Sequence, residues 1–284
     1  MQCYRIVHRT FYNYANNITL GPQILLLRPL EGFNLRIQSF MLNISPPANV
    51  RWHRDVEGNS VAIATFEQPI TQHLSIETDV VIELHKDNPL DFLVANYAIN
   101  YPFQYKEDDA LMLSPYMTLL EDKSIDVLPR WIMRFWQSNE PVQTYALLER
   151  LNRFIYTTMA YHVREEPGVQ SARTTLKSGT GSCRDFALLF MEAAKCLGFA
   201  ARFVSGYLYL HGPSVIPAAT HAWAEVYLPG AGWTGFDPTS GVIVGPNHIP
   251  VAVSRLPDSV PPIAGSLTGT ATSTMDVGVW VSVC

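Results

Sequence analysis

The chain has 284 residues, 48% of them hydrophobic and 16% charged, which is ample for a sizeable core and suggests two domains. A balance of 20 basic against 25 acidic residues gives a net charge of −5 with no long run of either sign, so neither nucleic acid nor an anionic membrane is implied as a partner. No segment approaches the apolar length of a bilayer span, and the stretch from Tyr4 to Thr10 lacks the features of a secretory leader, so a cytoplasmic location is expected.

Residues 1–88 contain short alternating runs at Tyr4 to Tyr14, Leu35 to Ile44, Asn59 to Phe66 and Leu74 to Leu84. Pro46-Pro47 and Gly58-Asn59 punctuate them, and this spacing predicts an N-terminal antiparallel β-sandwich domain. Residues 89–140 read as a proline-bearing connecting segment, with a short helix at Trp131 to Trp136. A third region, 141–284, opens at Pro141 with a helix whose Val142, Tyr145, Leu148, Leu151 and Ile155 share one apolar face. Its last run alternates from Met275 to Val283 and reads as a strand that returns to either sheet.

The chemistry concentrates around Cys183. It follows Ser178-Gly-Thr-Gly-Ser182 and opens a run in which Leu189, Phe190, Ala193, Ala194 and Leu197 recur at helical spacing. Gly198 stands where a left-handed cap would end that helix. Ser182 and Asp185 match a capping box, which places Cys183 in the first turn. Unpaired backbone N–H groups and the positive end of the helix dipole favour a thiolate there. Gly179 and Gly181 let the chain turn and leave room for a substrate carbonyl, and the N–H of Cys183 is a natural oxyanion donor. Downstream, residues 221 to 228 alternate, with His221, Trp223, Glu225 and Tyr227 on one face. Pro229-Gly230 and Gly232 supply a turn, and the returning run from Trp233 ends at Asp237 before Pro238. Neighbouring antiparallel strands would bring His221 and Asp237 together, the arrangement that orients a base for a thiol nucleophile.

Together these segments resemble the bacterial transglutaminase-like superfamily. The resemblance is carried by Gly168-Val-Gln170, the run from Ser182 to Leu189, Ala201-Arg-Phe-Val-Ser-Gly-Tyr207, His221-Ala-Trp-Ala-Glu-Val-Tyr227 and Gly235-Phe-Asp-Pro-Thr239. It covers roughly Val142 to Ile249. The first third, with His8-Arg-Thr-Phe-Tyr-Asn-Tyr14 and Asp55-Val-Glu-Gly-Asn59, is similar to the β-rich region often fused to that core. The resemblance implies an α+β fold whose nucleophile helix packs on an antiparallel sheet in a papain-like catalytic domain. It also implies a Cys183/His221/Asp237 triad. Members include transglutaminases, cysteine proteases and deglycosylating amidases.

The remaining candidates are open to more than one reading. Gln170 is either a second oxyanion donor or an exposed loop residue. Arg184 either meets an acidic substrate group, offsets Asp185, or is a plain surface arginine. Trp223 is a substrate contact or, with Trp233, a wall around the imidazole. Asp185 is read chiefly as a cap whose charge opposes the nearby thiolate. Glu225 reads as an ion-paired strand residue in preference to a second acid on the face of His221. Cys196 reads as a buried inert thiol, and Cys3 and Cys284 as chemically idle, a disulfide between them being the less favoured reading. The other histidines, His8, His53, His73, His85, His162, His211 and His248, show no ligand spacing, so no metal and no cofactor are expected. The expected activity is cysteine-dependent acyl transfer on the amide of a peptide or protein through a thioester. Hydrolysis as a peptidase or amidase is preferred to transglutaminase chemistry, with a non-catalytic scaffold as the contrasting class. Substrate identity and oligomeric state are not legible.

Overall fold

The computed structural model describes residues 2–85, 88–120, 126–138, 140–164, 166–209 and 220–284. Five strands from the first third, β1 (Gln2–Leu25), β2 (Leu35–Ser45), β3 (Ala48–Arg54), β4 (Ser60–Phe66) and β5 (Ile70–Leu84), pair antiparallel in the order β2-β5-β1-β4-β3. The strand β1 runs 24 residues, well past the predicted end at Tyr14. One stretch of it pairs with β5 from Gln2 to Asn13, and its far end pairs with β4 from Gln23 to Leu25. A single strand thus serves what would be both layers of a sandwich. The expected antiparallel N-terminal β domain is present, built as one continuous, nearly closed sheet. Inside its curl lie Tyr14, Ile18, Leu20, Leu25, Leu74 and Ile76. The strand β3 was not predicted, although Ala48, Val50 and Trp52 alternate with Asn49, Arg51 and His53 and were a usable signal; none of its residues is buried.

Between the two regions lie β6 (Asn100–Tyr101), α1 (Glu107–Met117) and α2 (Leu128–Ile132). The helix expected at Trp131 to Trp136 therefore starts earlier. Nothing predicted α1, although Glu107, Asp108 and Asp109 in its first turn complement the helix dipole and were a usable signal.

The next elements are β7 (Val142–Gln143), α3 (Thr144–Thr158), β8 (Ala160–Tyr161), α4 (Ala172–Ser178), β9 (Thr180–Gly181) and α5 (Cys183–Cys196). A five-stranded sheet follows, built from β10 (Ala201–Leu208), β11 (Thr220–Leu228), β12 (Gly232–Asp237), β13 (Val242–Ile243) and β14 (His248–Ser254) in the order β13-β12-β11-β10-β14. Helix α5 packs on the face of β11 that presents Ala222, Ala224, Val226 and Leu228. The two small alanines leave room for the helix backbone to approach. The helices α2, α3 and α4 close over the rest of α5, so it is buried on nearly every side. Even Glu192 and Lys195 are enclosed, paired to each other at 3.2 Å, with Glu192 also accepting the Leu120 N–H. Burial pushes the Lys195 pKa down, against the pull of Glu192.

The last strands, β15 (Ile263–Thr268) and β16 (Ser273–Val283), leave this unit and pair with β1, from Tyr4↔Val283 to Tyr14↔Ser273 in the case of β16. The chain end therefore pairs with the N-terminal sheet, one of the two places open to the last strand of the 141–284 region. That register sets Cys3 beside Cys284, and the two form a disulfide that the sequence reading did not favour. The two sheets meet through Tyr4 and Ile6 on one side and Tyr207, Ile249 and Val251 on the other. His8 bonds the Tyr207 hydroxyl at 2.9 Å across this junction, and burial lowers its pKa to about 4. Among the described residues no helix is long and apolar enough to cross a membrane.

Candidate active site

Cys183 is the first residue of α5, as the capping pattern predicts, with Ser182 as N-cap. Asp185 is fully buried, and its carboxylate gathers the whole approach to the nucleophile. One oxygen accepts the Ser182 N–H at 2.7 Å and the Ser182 hydroxyl at 2.8 Å. The other accepts Arg164 Nη1 and the Gln170 N–H, both at 2.7 Å. The anticipated conflict between this charge and a neighbouring thiolate is thereby answered by Arg164, a residue the sequence reading did not single out. Gly179 caps α4 with φ +70°, a conformation that favours glycine. Gly181 has a different task from the one expected: a Cβ there would meet Asp185 Cβ at 2.9 Å and the Phe186 ring at 3.1 Å. Its missing side chain makes room for α5, not for a substrate.

His221 and Asp237 stand together at the ends of β11 and β12. His221 Nε2 donates to Asp237 Oδ2 at 2.9 Å, which leaves Nδ1 as the other ring nitrogen, and Cys183 is near enough to help raise the charge on the ring. Burial alone would lower the His221 pKa. The hydrogen bonds and charges of Asp237 and Cys183 outweigh it and push the value up to about 10. Burial likewise works against the Asp237 carboxylate, yet donors from His221, His248 and Ser240 hold it well below the usual carboxylate range. The Ser240 hydroxyl donates to Oδ2 at 2.7 Å and the Thr239 N–H to Oδ1 at 3.0 Å. Cys183 retains 9% exposure at the tip of its helix. Cys196, at the far end of α5, is half-buried, and burial followed by the charge of Glu192 raises its pKa.

Three candidate residues take other places. Gln170 Nε2 spends both of its N–H groups on Thr175 Oγ1 and the Thr180 carbonyl, each at 3.0 Å, so its side chain ties α4 to β9 instead of offering an oxyanion donor. Arg184 donates to the carbonyls of Arg164 and Glu166 at 3.2 and 3.3 Å, bracing that loop and not standing free for a substrate. Trp223 is 0% exposed, which corrects any substrate contact: it lies behind the imidazoles, with ring centroids 6.2 Å from His221 and 5.2 Å from His248. Trp233 is remote from the imidazole, under Arg202 at 4.3 Å and against Tyr116 and Tyr227. Glu225 pairs with Arg202 at 2.7 Å.

The residue that sequence reasoning missed is His248. Its Nε2 lies 3.2 Å from Asp237 Oδ2, and its Nδ1 accepts the Gly245 N–H at 3.4 Å. His221, Asp237 and His248 thus bring three ligand-type atoms within 4.8 Å of one another. The proton placement suits a hydrogen-bond network better than a metal. With Nδ1 accepting from Gly245, Nε2 carries the proton, and a cation at Nε2 would drive that proton onto Nδ1 against the Gly245 N–H. Histidine spacing gave no hint of this, since β13 and the crossing to the far edge of the sheet separate His248 from Asp237. His211 lies outside the described residues.

With this fold and geometry established, comparison with known proteins is consistent at every level. Residues 4–83 match the bacterial transglutaminase-like N-terminal region and residues 137–238 match the transglutaminase-like superfamily. An uncharacterised Mycobacterium leprae protein is 32% identical over 98% of this chain and 98% of its own length. An uncharacterised Mycobacterium tuberculosis protein is 28% identical over 97% of this chain and 91% of its own. A solved Cytophaga hutchinsonii structure, described as that of a candidate cysteine protease, superposes with a TM-score of 0.73 at 20% identity, over 99% of this chain and 90% of that one. The chain belongs to the transglutaminase-like superfamily and carries that superfamily's bacterial N-terminal region.

Proposed function

We propose that this protein is a cysteine-nucleophile acyl-transfer enzyme that hydrolyses an amide bond of a peptide or protein, with Cys183, His221 and Asp237 as its triad. The observation that carries the reading is His221: one nitrogen is held by a buried carboxylate, and the ring's raised pKa owes part of its shift to Cys183, the first residue of its helix. That arrangement favours a thiolate–imidazolium pair.

The Cys183 thiolate attacks the amide carbonyl, and the oxyanion lies against the Cys183 N–H, which has no intrahelical acceptor in the first turn. His221 gives its proton to the departing nitrogen as the C–N bond breaks, leaving a thioester and a neutral ring. Water then attacks the thioester while His221 takes its proton. The acid leaves, and thiolate and imidazolium are restored. Asp237 keeps the Nε2 proton in place throughout, so that Nδ1 is the nitrogen that cycles. Hydrolysis is preferred to amine transfer because water is always at hand, whereas transfer needs a site that excludes it.

The test is a panel of glutamine-containing and fluorogenic peptides incubated with and without a labelled primary amine. Cleavage or deamidation without amine incorporation supports hydrolysis, and incorporation supports a transglutaminase. Iodoacetamide should label Cys183 faster than Cys196 at mildly acidic pH, and equal rates would favour a scaffold. Cys183→Ala should abolish turnover and leave the melting temperature nearly unchanged.

A further inference from the structure

Outside the triad, His248 is the polar side chain that, among the described residues, reaches its carboxylate from another part of the sheet. It is the first residue of β14, an edge strand that pairs with β10 and not with the strand that carries Asp237. From there the ring crosses to Asp237 Oδ2, the same oxygen that holds His221. Two further contacts fix the ring. Gly245 donates to its Nδ1, and Trp223 packs edge-on at 5.2 Å with an interplanar angle of 81°. Only 7% of His248 is exposed, so water does not compete for the Nε2–H.

The strand that delivers it is anchored in turn by the N-terminal region. Asn59, fully buried in the turn after β3, donates to the Val253 carbonyl and accepts the Val253 N–H, both at 2.8 Å. This pairing covers the outer edge of β14 and fixes its register. It also gives a physical purpose to the Asp55-Val-Glu-Gly-Asn59 motif, whose Asp55 carboxylate holds the Asn59 N–H and side-chain amide at 2.8 Å. Glu57 of the same turn accepts the Arg255 N–H at 3.2 Å and the Tyr116 hydroxyl at 2.7 Å.

We propose that His248 is a positioning residue of the acyl-transfer site: its Nε2–H holds the Asp237 carboxylate in the orientation that keeps His221 turned toward Cys183. The proposal rests on the triad reading above. A carboxylate whose Oδ2 is held from two sides by imidazole N–H groups, and by Ser240 as well, cannot rotate away when the His221 ring changes charge during the cycle. His248 never meets the substrate. Its effect passes through Asp237 to the charge state of His221 and so to the nucleophile.

The test needs no knowledge of the substrate. The rate at which iodoacetamide alkylates Cys183 is measured from pH 4 to 10 by peptide mass spectrometry in the full chain, in His248→Phe and in His248→Gln. The groups that set this profile are Cys183, His221 and Asp237, against the background of Asp185 with its partner Arg164, Arg184 and Tyr161 around the thiol, which all variants share, with the His248 ring itself the variable. Phenylalanine keeps the ring packing on Trp223 but removes the donor. Glutamine restores an N–H near the Nε2 position. Loss of one hydrogen bond to a charged group predicts an alkylation rate about tenfold lower at pH 6 in His248→Phe, with the plateau narrowed. His248→Gln should recover at least about a third of the wild-type rate. A wild-type profile in His248→Phe overturns the proposal alone, and so does an equal loss in both folded variants, which would mark a packing role. If Cys183 of the wild type reacts no faster than Cys196, the triad reading fails and the proposal falls with it. Long-range 1H–15N spectra of the imidazoles give a second readout that requires no variant: His248 must show the proton on Nε2, and a proton on Nδ1 overturns the assignment.

Discussion

Asp185→Asn tests the architecture that presents the nucleophile. The change is nearly isosteric, so its cost is electrostatic and can be worked from the contacts. Both carboxylate oxygens accept a backbone N–H, that of Ser182 on one and that of Gln170 on the other. Whichever way an amide is turned, its NH2 faces one of them. One buried N–H is left unpaired, at about 1–3 kcal/mol. In addition Arg164, only 16% exposed, loses the charge it faces at 2.7 Å. Breaking such a pair costs about 3–5 kcal/mol when the remaining partner is stranded. Here Glu166, 72% exposed and 3.6 Å from Arg164, softens that loss. The two effects share the same site and do not add in full, so the expected destabilisation is about 3 kcal/mol. In a protein of this size that lowers the melting temperature by roughly 6–12 °C. Glu166→Gln is the control: the Glu166 side chain is itself exposed, and the effect stays within about 0.5 kcal/mol. The assay is thermal unfolding followed by circular dichroism at pH 7. A drop of less than about 2 °C in Asp185→Asn would refute the claim that this carboxylate organises the loop.

Three other outcomes are expected. The raised pKa of His221 means that its ion contacts contribute stability in full below its ordinary value of 6.5 and lose it as pH rises through about 10. Asp237 has a depressed pKa, so its contribution is present above its ordinary 3.8 and is lost as pH falls toward its folded value. The melting-temperature gap between wild type and His221→Asn should therefore be widest near pH 5 to 6.5 and shrink toward pH 10, and a gap that grows with pH contradicts this. Gly206→Ala should cost about 1–3 kcal/mol and slow Cys183 alkylation, because the new Cβ meets the Ile249 carbonyl and comes within 2.6 Å of the Trp223 ring, which backs both imidazoles. Urea melts and alkylation rates check it, and an unaltered variant would show that the wall behind His221 yields freely. Finally, thiol titration of the denatured, unreduced protein should find two thiols, Cys183 and Cys196, and four would refute the Cys3–Cys284 bond.

Much of the site was legible because its signals are local. The cap at Ser182, the stripe from Leu189 to Leu197 and the stop at Gly198 lie within a few turns of one helix, and α5 begins at Cys183 as they dictate. The hairpin that joins His221 to Asp237 is equally local: alternation sets the face, and Gly230 and Gly232, both at positive φ, set the turn. The faces of α5 were less legible. An apolar stripe implies one solvated side, yet Glu192 and Lys195 are buried, and Glu192 accepts the Leu120 N–H from a segment outside the window in which periodicity is read.

What tertiary structure alone decided is where distant segments meet. His248 reaches Asp237 only after the chain crosses from β12 to the opposite edge of the sheet, and Arg164 reaches Asp185 from a loop with no periodicity of its own. The alternation of Met275 to Val283 marks a strand but not its partner; that partner is β1, whose unusual length left an open edge for it. Side-chain spacing records the period of an element and the chemistry at its ends. Which edge remains unpaired, and which buried donor remains unsatisfied, depends on every other element being in place, and those two conditions set His248, Arg164 and the closing disulfide.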